Sequence, residues 1–292
     1  MQGAEMESML KGVRFPEVDL EQILVPCSQC LGVAVGAELT ERVRAMNESD
    51  FDYAIVLSSS DSRAGVLGLI LRAHLEKLVE EKRTLTAEDA NIAPIEHAEI
   101  DVRASLGLLL HQMGERPAWL VTHEGDAEQY GMYYMVYGLV TRSDLNKHPV
   151  RTLVYEVFAK LEIALAELIL RSTADHLEWI RRLNEDSQAR ILGYWELSKL
   201  QNVNVGPVAG AMLSDLLNVI AKNEKMRSKL GYESRNSFED VVGHLPGVRN
   251  QVMHPIRPLI SDAACCISLE NAIRTALVLT EKAMHYHEAE KP

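Results

Sequence analysis

The sequence predicts a chain of two structural classes. An α+β half over residues 15–147 is built of two β-α units with short sheets, and an all-α helical bundle occupies 148–292. Three observations predict this. Short β-rich runs alternate with amphipathic segments up to about residue 147 and stop there. The order helix, strand, turn, strand, helix recurs at an interval of roughly 65 to 70 residues. Beyond His148-Pro149 the apolar residues fall almost only at helical spacing.

The elements follow in order. Residues 37–46 place Leu39, Val43 and Met46 on one helical face. Tyr53-Ala-Ile-Val-Leu57 reads as a buried strand, 58–65 (SSSDSRAG) as a turn cluster, and 66–70 as a second strand. Residues 73–81 form a helix through Leu75, Leu78 and Val79. The second round runs through a helix at 104–113, a strand at 118–122, a polar turn at 123–130 and a strand at 132–141. A further helix opens at Ser143-Asp144.

In the helical half, 150–171 carries a stripe of Leu153, Val157, Leu161, Leu165 and Leu168. Residues 174–200 read as one helix with Leu177, Ile180, Leu183, Ile191 and Leu192 toward the core. Asn202-Val-Asn-Val-Gly-Pro207 breaks it. A helix at 212–220 is followed by a polar, basic stretch at 221–235. A helix at 238–254 is interrupted by Gly243 and Leu245-Pro246-Gly247, and a last helix at 268–285 faces the core with Ile273, Leu277, Leu279 and Met284.

Composition narrows the function classes. The formal charge of -12 argues against a protein that coats nucleic acid by charge alone. That acidity is local: residues 1–150 hold 13 Lys plus Arg against 24 Asp plus Glu, whereas 151–292 hold 17 against 18. A confined anion site in the helical half is therefore compatible with the net charge. Four cysteines, as Cys27-x-x-Cys30 and the adjacent Cys265-Cys266, lack the further ligands that zinc needs and read as free thiols. No metal site is expected. No P-loop, GxSxG or HExxH string is present. No apolar run approaches the roughly 20 residues that span a bilayer, and the start has no secretory pattern. The expectation is a cytoplasmic protein with no membrane partner.

Gly138-Leu-Val-Thr-Arg-Ser-Asp144 ends a strand on a threonine and opens a helix on an aspartate. A hydroxyl and a carboxylate placed this way can face one crevice, where the carboxylate accepts hydrogen bonds from ribose hydroxyls and helix amides favour a phosphate. The alternative is that Asp144 caps its helix. The string resembles the closing motif of a CBS domain. Gly68-Leu-Ile-Leu-Arg-Ala-His74-Leu75 is the same frame, with Leu71 and His74 at the polar positions. Two such units in tandem resemble a Bateman module. The resemblance implies that Thr141 and Asp144 bind an adenine nucleotide, such as AMP or ATP, as a regulatory ligand.

Val248-Arg-Asn-Gln-Val-Met-His-Pro255 is the second motif. Proline disfavours helix at the residue before it, which sets His254 at a helix C-terminus. Asn250 and His254, four apart, share a helical face. The string resembles the RxxxxH motif of HEPN domains, helical bundles of prokaryotic defence and toxin systems. Glu156 and Lys160 resemble the family's Glu-x-x-x-Lys. The resemblance implies metal-independent cleavage of RNA by its own 2′-hydroxyl, needing no cofactor. His254 would transfer protons, Arg249 would hold the scissile phosphate, and Asn250 would orient the ribose or the histidine. The site would form across a homodimer. Alternatively, Arg249 pairs with an acid such as Glu239 or Asp240 and the helical half is a non-catalytic module. Lys222, Lys225, Arg227, Lys229 and Arg235 are either RNA contacts or a solvated face. The leading expectation is a nucleotide sensor joined to a ribonuclease. The alternative is a nucleotide-binding regulatory or dimerisation protein.

Overall fold

The computed structural model describes residues 14–60, 65–90, 93–94, 99–123, 135–173 and 177–289. The chain divides into two compact units. One comprises Pro16–Arg151 and Leu259–Ile267; the other comprises Met1–Phe15, Thr152–Pro258 and Ser268–Pro292.

The first unit is α+β with two small sheets. Its elements are β1 (Val25–Pro26), β2 (Gly32–Ala34), α1 (Thr40–Glu48), β3 (Tyr53–Leu57), β4 (Val66–Leu71) and α2 (Arg72–Glu80). They continue with β5 (Ala93–Pro94), β6 (Glu99–Asp101), α3 (Leu106–Glu115), β7 (Ala118–His123) and β8 (Met135–Thr141). The sheet orders are β2-β3-β4-β5 and β1-β8-β7-β6. In each, a parallel pair (β2/β3, β6/β7) adjoins an antiparallel one (β3/β4, β7/β8). A helix joins each parallel pair, as parallel strands require a crossover.

The repeat extends to fine detail. A bulge follows Val56 in one sheet and Val121 in the other, each opposite a glycine, Gly68 or Gly138. Those glycines also face Pro94 and Pro26 across the sheet edge. Gly68 has φ +152, and a Cβ on Gly138 would lie 2.2 Å from the Val25 carbonyl oxygen, so glycine is required at both. The strand preceding each repeat completes the other repeat's sheet: β1 pairs with β8, and β5 with β4. The leading segment follows the same exchange. Val18 and Leu20 donate backbone N–H bonds to Ala104 and Val102, while Gly36 donates to Leu85. Val33, Leu39, Met46, Ala54, Val56, Ile70, Leu75 and Leu78 form the core of the first repeat.

Leu259–Ile267 joins this unit although most helical residues precede it in sequence. The Asn146 side chain explains this. It accepts from the backbone N–H of Leu259 and Ile260 at 2.6 and 2.9 Å, and donates to the Ile260 carbonyl at 2.9 Å.

The helical elements are α4 (His148–Ser172), α5 (Glu185–Leu200), α6 (Leu213–Ala221), α7 (Glu224–Lys229), α8 (Arg235–Val242), α9 (Leu245–Met253) and α10 (Ala263–Ala289). The single helix expected over 174–200 is not formed. A 3-10 turn at Ile180–Arg182 ends at Leu183, and Asn184 starts α5 by accepting the Ser187 N–H at 2.8 Å. Asparagine at that point competes with helix continuation. The basic stretch 221–235 contains α7, capped by Asn223. Leu192 and Met284, expected in the core, are exposed. Of the turn expected at 123–130, His123 ends β7 instead, and 124–130, the start of the strand at 132 and the middle of the turn at 61–64 lie outside the described residues.

One helical stretch, Ala263–His285, is long and apolar enough to cross a bilayer by length and composition, contrary to the sequence expectation. Its Leu269, Ala272, Ile273, Ala276 and Leu279 are buried, and its Glu270 and Arg274 pair at 2.7 Å.

Candidate functional site

The end of β8 brings Thr141 and Asp144 together. Thr141 is extended and caps a five-residue 3-10 turn, Arg142–Asn146, which replaces the helix expected from Ser143. Asp144 Oδ2 accepts from the Thr141 backbone N–H and hydroxyl, both at 2.7 Å. Its Oδ1 faces the Lys147 ammonium at 2.8 Å. Thr141 Oγ1 also lies 2.8 Å from Ser143 Oγ. Asp144 is only 5% exposed, so a charge there needs these partners. Asp144 is thus not the N-cap itself but the third residue of the turn, which closes a capping box with Thr141. Lys147 holds its place by also donating to the Ile23 carbonyl. A hydroxyl pair, a carboxylate and an ammonium therefore meet at one strand end.

The equivalent point of the first repeat is different. Leu71 precedes α2 with no side-chain cap. His74 Nε2 instead lies 3.5 Å from Asp89. Asp89 forms a box that the sequence reading missed. Its Oδ2 accepts from the Thr86 N–H at 2.9 Å and the Thr86 hydroxyl at 2.7 Å, while Oδ1 faces Arg83 at 3.5 Å. The Thr86 hydroxyl, first, and its backbone N–H hold the Asp89 carboxyl below the ordinary aspartate range. Thr86-Ala-Glu-Asp89 has the same spacing as Thr141-Arg-Ser-Asp144, and that spacing was the available signal.

In the helical unit, Arg249 and Asn250 lie on α9 and His254 is its C-cap. Asn250 and His254 are exposed. Arg249 Nε donates to Glu162 Oε1 on α4 at 2.7 Å, with both side chains 27% exposed. The acid is therefore Glu162, not the expected Glu239 or Asp240; Glu239 binds Arg235 instead, at 2.7 Å. Glu162 carried no signal in the sequence, because its partner lies 87 positions away. Around Glu162, α4 exposes Tyr155, Ile163 and Leu170 on one face, and Met253 and Ile256 beside His254 are also exposed. Glu156 and Lys160 are exposed on the same helix.

The cysteines are free. Cys27 and Cys30 donate to the carbonyls of Val136 and Val25. Burial pushes the Cys30 thiol up to about 12 and the Cys266 thiol to about 11. No group of three His, Cys, Asp or Glu side chains able to hold a metal ion occurs among the described residues.

No protein-family model and no curated protein matches the chain. Solved structures of CBS-domain proteins do resemble its N-terminal part. A CBS-domain pair with bound AMP from Klebsiella pneumoniae is 18% identical and covers 44% of this chain and 94% of its own, with a TM-score of 0.33. A conserved CBS-domain protein of unknown function from Thermoplasma acidophilum is 17% identical over 47% of this chain and 72% of its own, at a TM-score of 0.32. The CBS domain of a bacterial CNNM/CorC-family magnesium transporter, in complex with ATP, is 17% identical over 50% of this chain and 94% of its own, also at 0.32.

Proposed function

We propose that this chain is an adenine-nucleotide-responsive regulator. Its α+β unit binds the nucleotide at Thr141 and Asp144, and its helical unit acts on RNA through Arg249, Asn250 and His254. The observation that carries the sensing half is the meeting of Thr141, Ser143, Asp144 and Lys147 at the end of β8. Ribose hydroxyls would take over the Asp144 oxygen now facing Lys147, and the freed ammonium would meet a phosphate.

In the helical unit the 2′-hydroxyl of RNA would attack the adjacent phosphorus. The bond to the 5′-oxygen breaks, leaving a 2′,3′-cyclic phosphate and a 5′-hydroxyl. His254 would take the proton from the 2′-hydroxyl or deliver one to the 5′-oxygen, as an imidazole can do either. Arg249 would exchange Glu162 for the phosphate as charge develops. Asn250 orients the ribose or His254. Two copies facing each other would enclose the site, with the apolar residues around Glu162 covered by the partner.

A second reading, a non-catalytic nucleotide-binding regulator, is favoured by one observation. Glu162 already neutralises Arg249 at 2.7 Å. The experiment that separates them incubates the purified chain with single-stranded RNA beside His254→Ala. Cleavage that disappears in the variant supports the catalytic reading. No cleavage, or cleavage that survives the substitution, leaves the regulatory one. Nucleotide binding is read separately, by thermal unfolding with AMP, ATP or S-adenosylmethionine. Ligand at about 100 times its Kd stabilises the folded state by ~2.7 kcal/mol, and Thr141→Val should abolish that gain. No gain with any of the three would sink the sensing half.

A further inference from the structure

Within the helical unit, Arg182, Asn223, Glu224, Lys225, Ser228 and Lys229 line a concavity of about 680 Å³. We propose that it binds the polyphosphate chain of a small ligand. This reading is independent of the Thr141–Asp144 site and of Arg249–His254.

The argument begins with how the cations converge. Lys225, Ser228 and Lys229 come from α7, where positions three and four apart share a face. Arg182 comes from the 3-10 turn, some forty positions earlier, and no periodicity in the sequence connects the two. The structure fixes that juxtaposition. Lys222 donates to the Arg182 carbonyl at 2.7 Å, tying the turn to the start of α7. Lys229 is steadied by Ser172 Oγ at 3.3 Å, and Arg182 by Glu178 at 2.9 Å.

The lining is rich in donors. It offers one guanidinium, two ammonium groups, a hydroxyl and a carboxamide, against the single carboxylate of Glu224. Lys225 makes no ion pair among the described residues, so its charge faces the concavity's solvent unneutralised. Guanidinium and ammonium groups around one space select a ligand that is compact, acceptor-rich and multiply anionic. A chain of two or three phosphates has that chemistry. Arg182 is paired with Glu178, and Lys225 and Lys229 add two positive side chains that an uncharged or cationic ligand would not offset.

The test is isothermal titration of the full chain with inorganic tripolyphosphate, then with ATP. It is run on the native chain, on Lys225→Gln/Lys229→Gln, and on Thr141→Val/Asp144→Asn. Charge-assisted hydrogen bonds contribute ~1.5–3 kcal/mol each, so removing one weakens affinity by about tenfold or more. Tripolyphosphate should therefore bind the native chain and the Thr141/Asp144 variant alike, and bind the lysine double variant at least about tenfold more weakly. Equal affinity for tripolyphosphate and ATP in the Thr141/Asp144 variant identifies the phosphate chain as the whole determinant. Tighter ATP binding there adds a base contact to the same site. Absence of tripolyphosphate binding, or binding indifferent to the two lysine substitutions, overturns the proposal. So does a single-stranded RNA that displaces tripolyphosphate while binding more tightly.

Discussion

Asp215 shows how much a single carboxylate organises in the helical unit. It is 4% exposed and accepts from Ser187 Oγ at 2.8 Å, from the Met212 backbone N–H at 2.8 Å and from Arg190. Arg190 in turn donates to the Gly210 carbonyl at 2.6 Å, so one ion pair pins the 207–212 loop to α5. Removing one partner of a buried pair strands the other charge. Asp215→Asn should lower unfolding stability by about 3 kcal/mol, read as a shift of the urea midpoint without a change in slope. Asp89 gives a prediction in pH. Its folded pKa is depressed, chiefly by the Thr86 hydroxyl. Its contribution is complete above the ordinary aspartate value near ~3.9 and is lost as pH falls below that, through the folded value. Asp89→Asn should therefore lower stability at neutral pH and flatten the acid limb of the stability curve. Equal acid limbs in both proteins would contradict the Thr86–Asp89 geometry. Cys30 and Cys266, with thiols near 12 and 11, should resist alkylation at mildly alkaline pH until the chain is unfolded, because the thiolate is the reactive form. Peptide mass spectrometry with and without denaturant checks this.

Among elements, the short strands matter more than their length suggests. β1 and β5 are two residues each and both end in proline, which cannot donate to a ladder and so ends the pairing. The facing glycines admit them. Gly138→Ala would drive a methyl group to within 2.2 Å of the Val25 carbonyl oxygen. β1 would have to leave β8, at a cost of about 3 kcal/mol. The expected readout is loss of amide-exchange protection at Leu139 before any loss in α3. These elements also mark what could be read beforehand. Tyr53–Leu57 and Ala118–His123 announce themselves as apolar runs, and the repeat spacing exposed their kinship. Val25–Pro26 and Ala93–Pro94 are too short to carry a period, and their partners are other repeats rather than sequence neighbours. Asn184 went unread as a cap, because the apolar rhythm on either side suggested one continuous helix. Arg182 and Glu162 escaped because long-range juxtaposition leaves no local pattern, whereas Asp89 was missed although its Thr-x-x-Asp spacing is local. The placement of Thr141, Asp144 and His254 at strand, turn or helix ends was legible because residue types are restricted there, whereas Arg249 lies inside α9.

For the whole molecule, the composition of the exposed surface bears on assembly. Tyr155, Ile163 and Leu170 along α4, and Ile256 at 94% exposure beside the motif helix, are the apolar side chains that a second copy would cover. The homodimer proposed above predicts a mass in solution of twice 32.6 kDa by light scattering. Ile163→Glu should restore the single mass while leaving far-ultraviolet dichroism unchanged. A monomer at all concentrations would remove the shared site from the proposal.

The exchange of strands between repeats also has a consequence for biosynthesis. Leu20, Ile23 and Leu24, buried in the finished fold, leave the ribosome before the second repeat does, and Val25 must await Leu139. During translation the first repeat can close its own sheet once Pro94 has emerged, leaving this leading apolar segment as bait for a chaperone. Closing the circuit last, over so long a loop, makes the second sheet the slow step. Stalled nascent chains ending before β8 should therefore be bound by chaperones through residues 18–25, and chains ending beyond it should not.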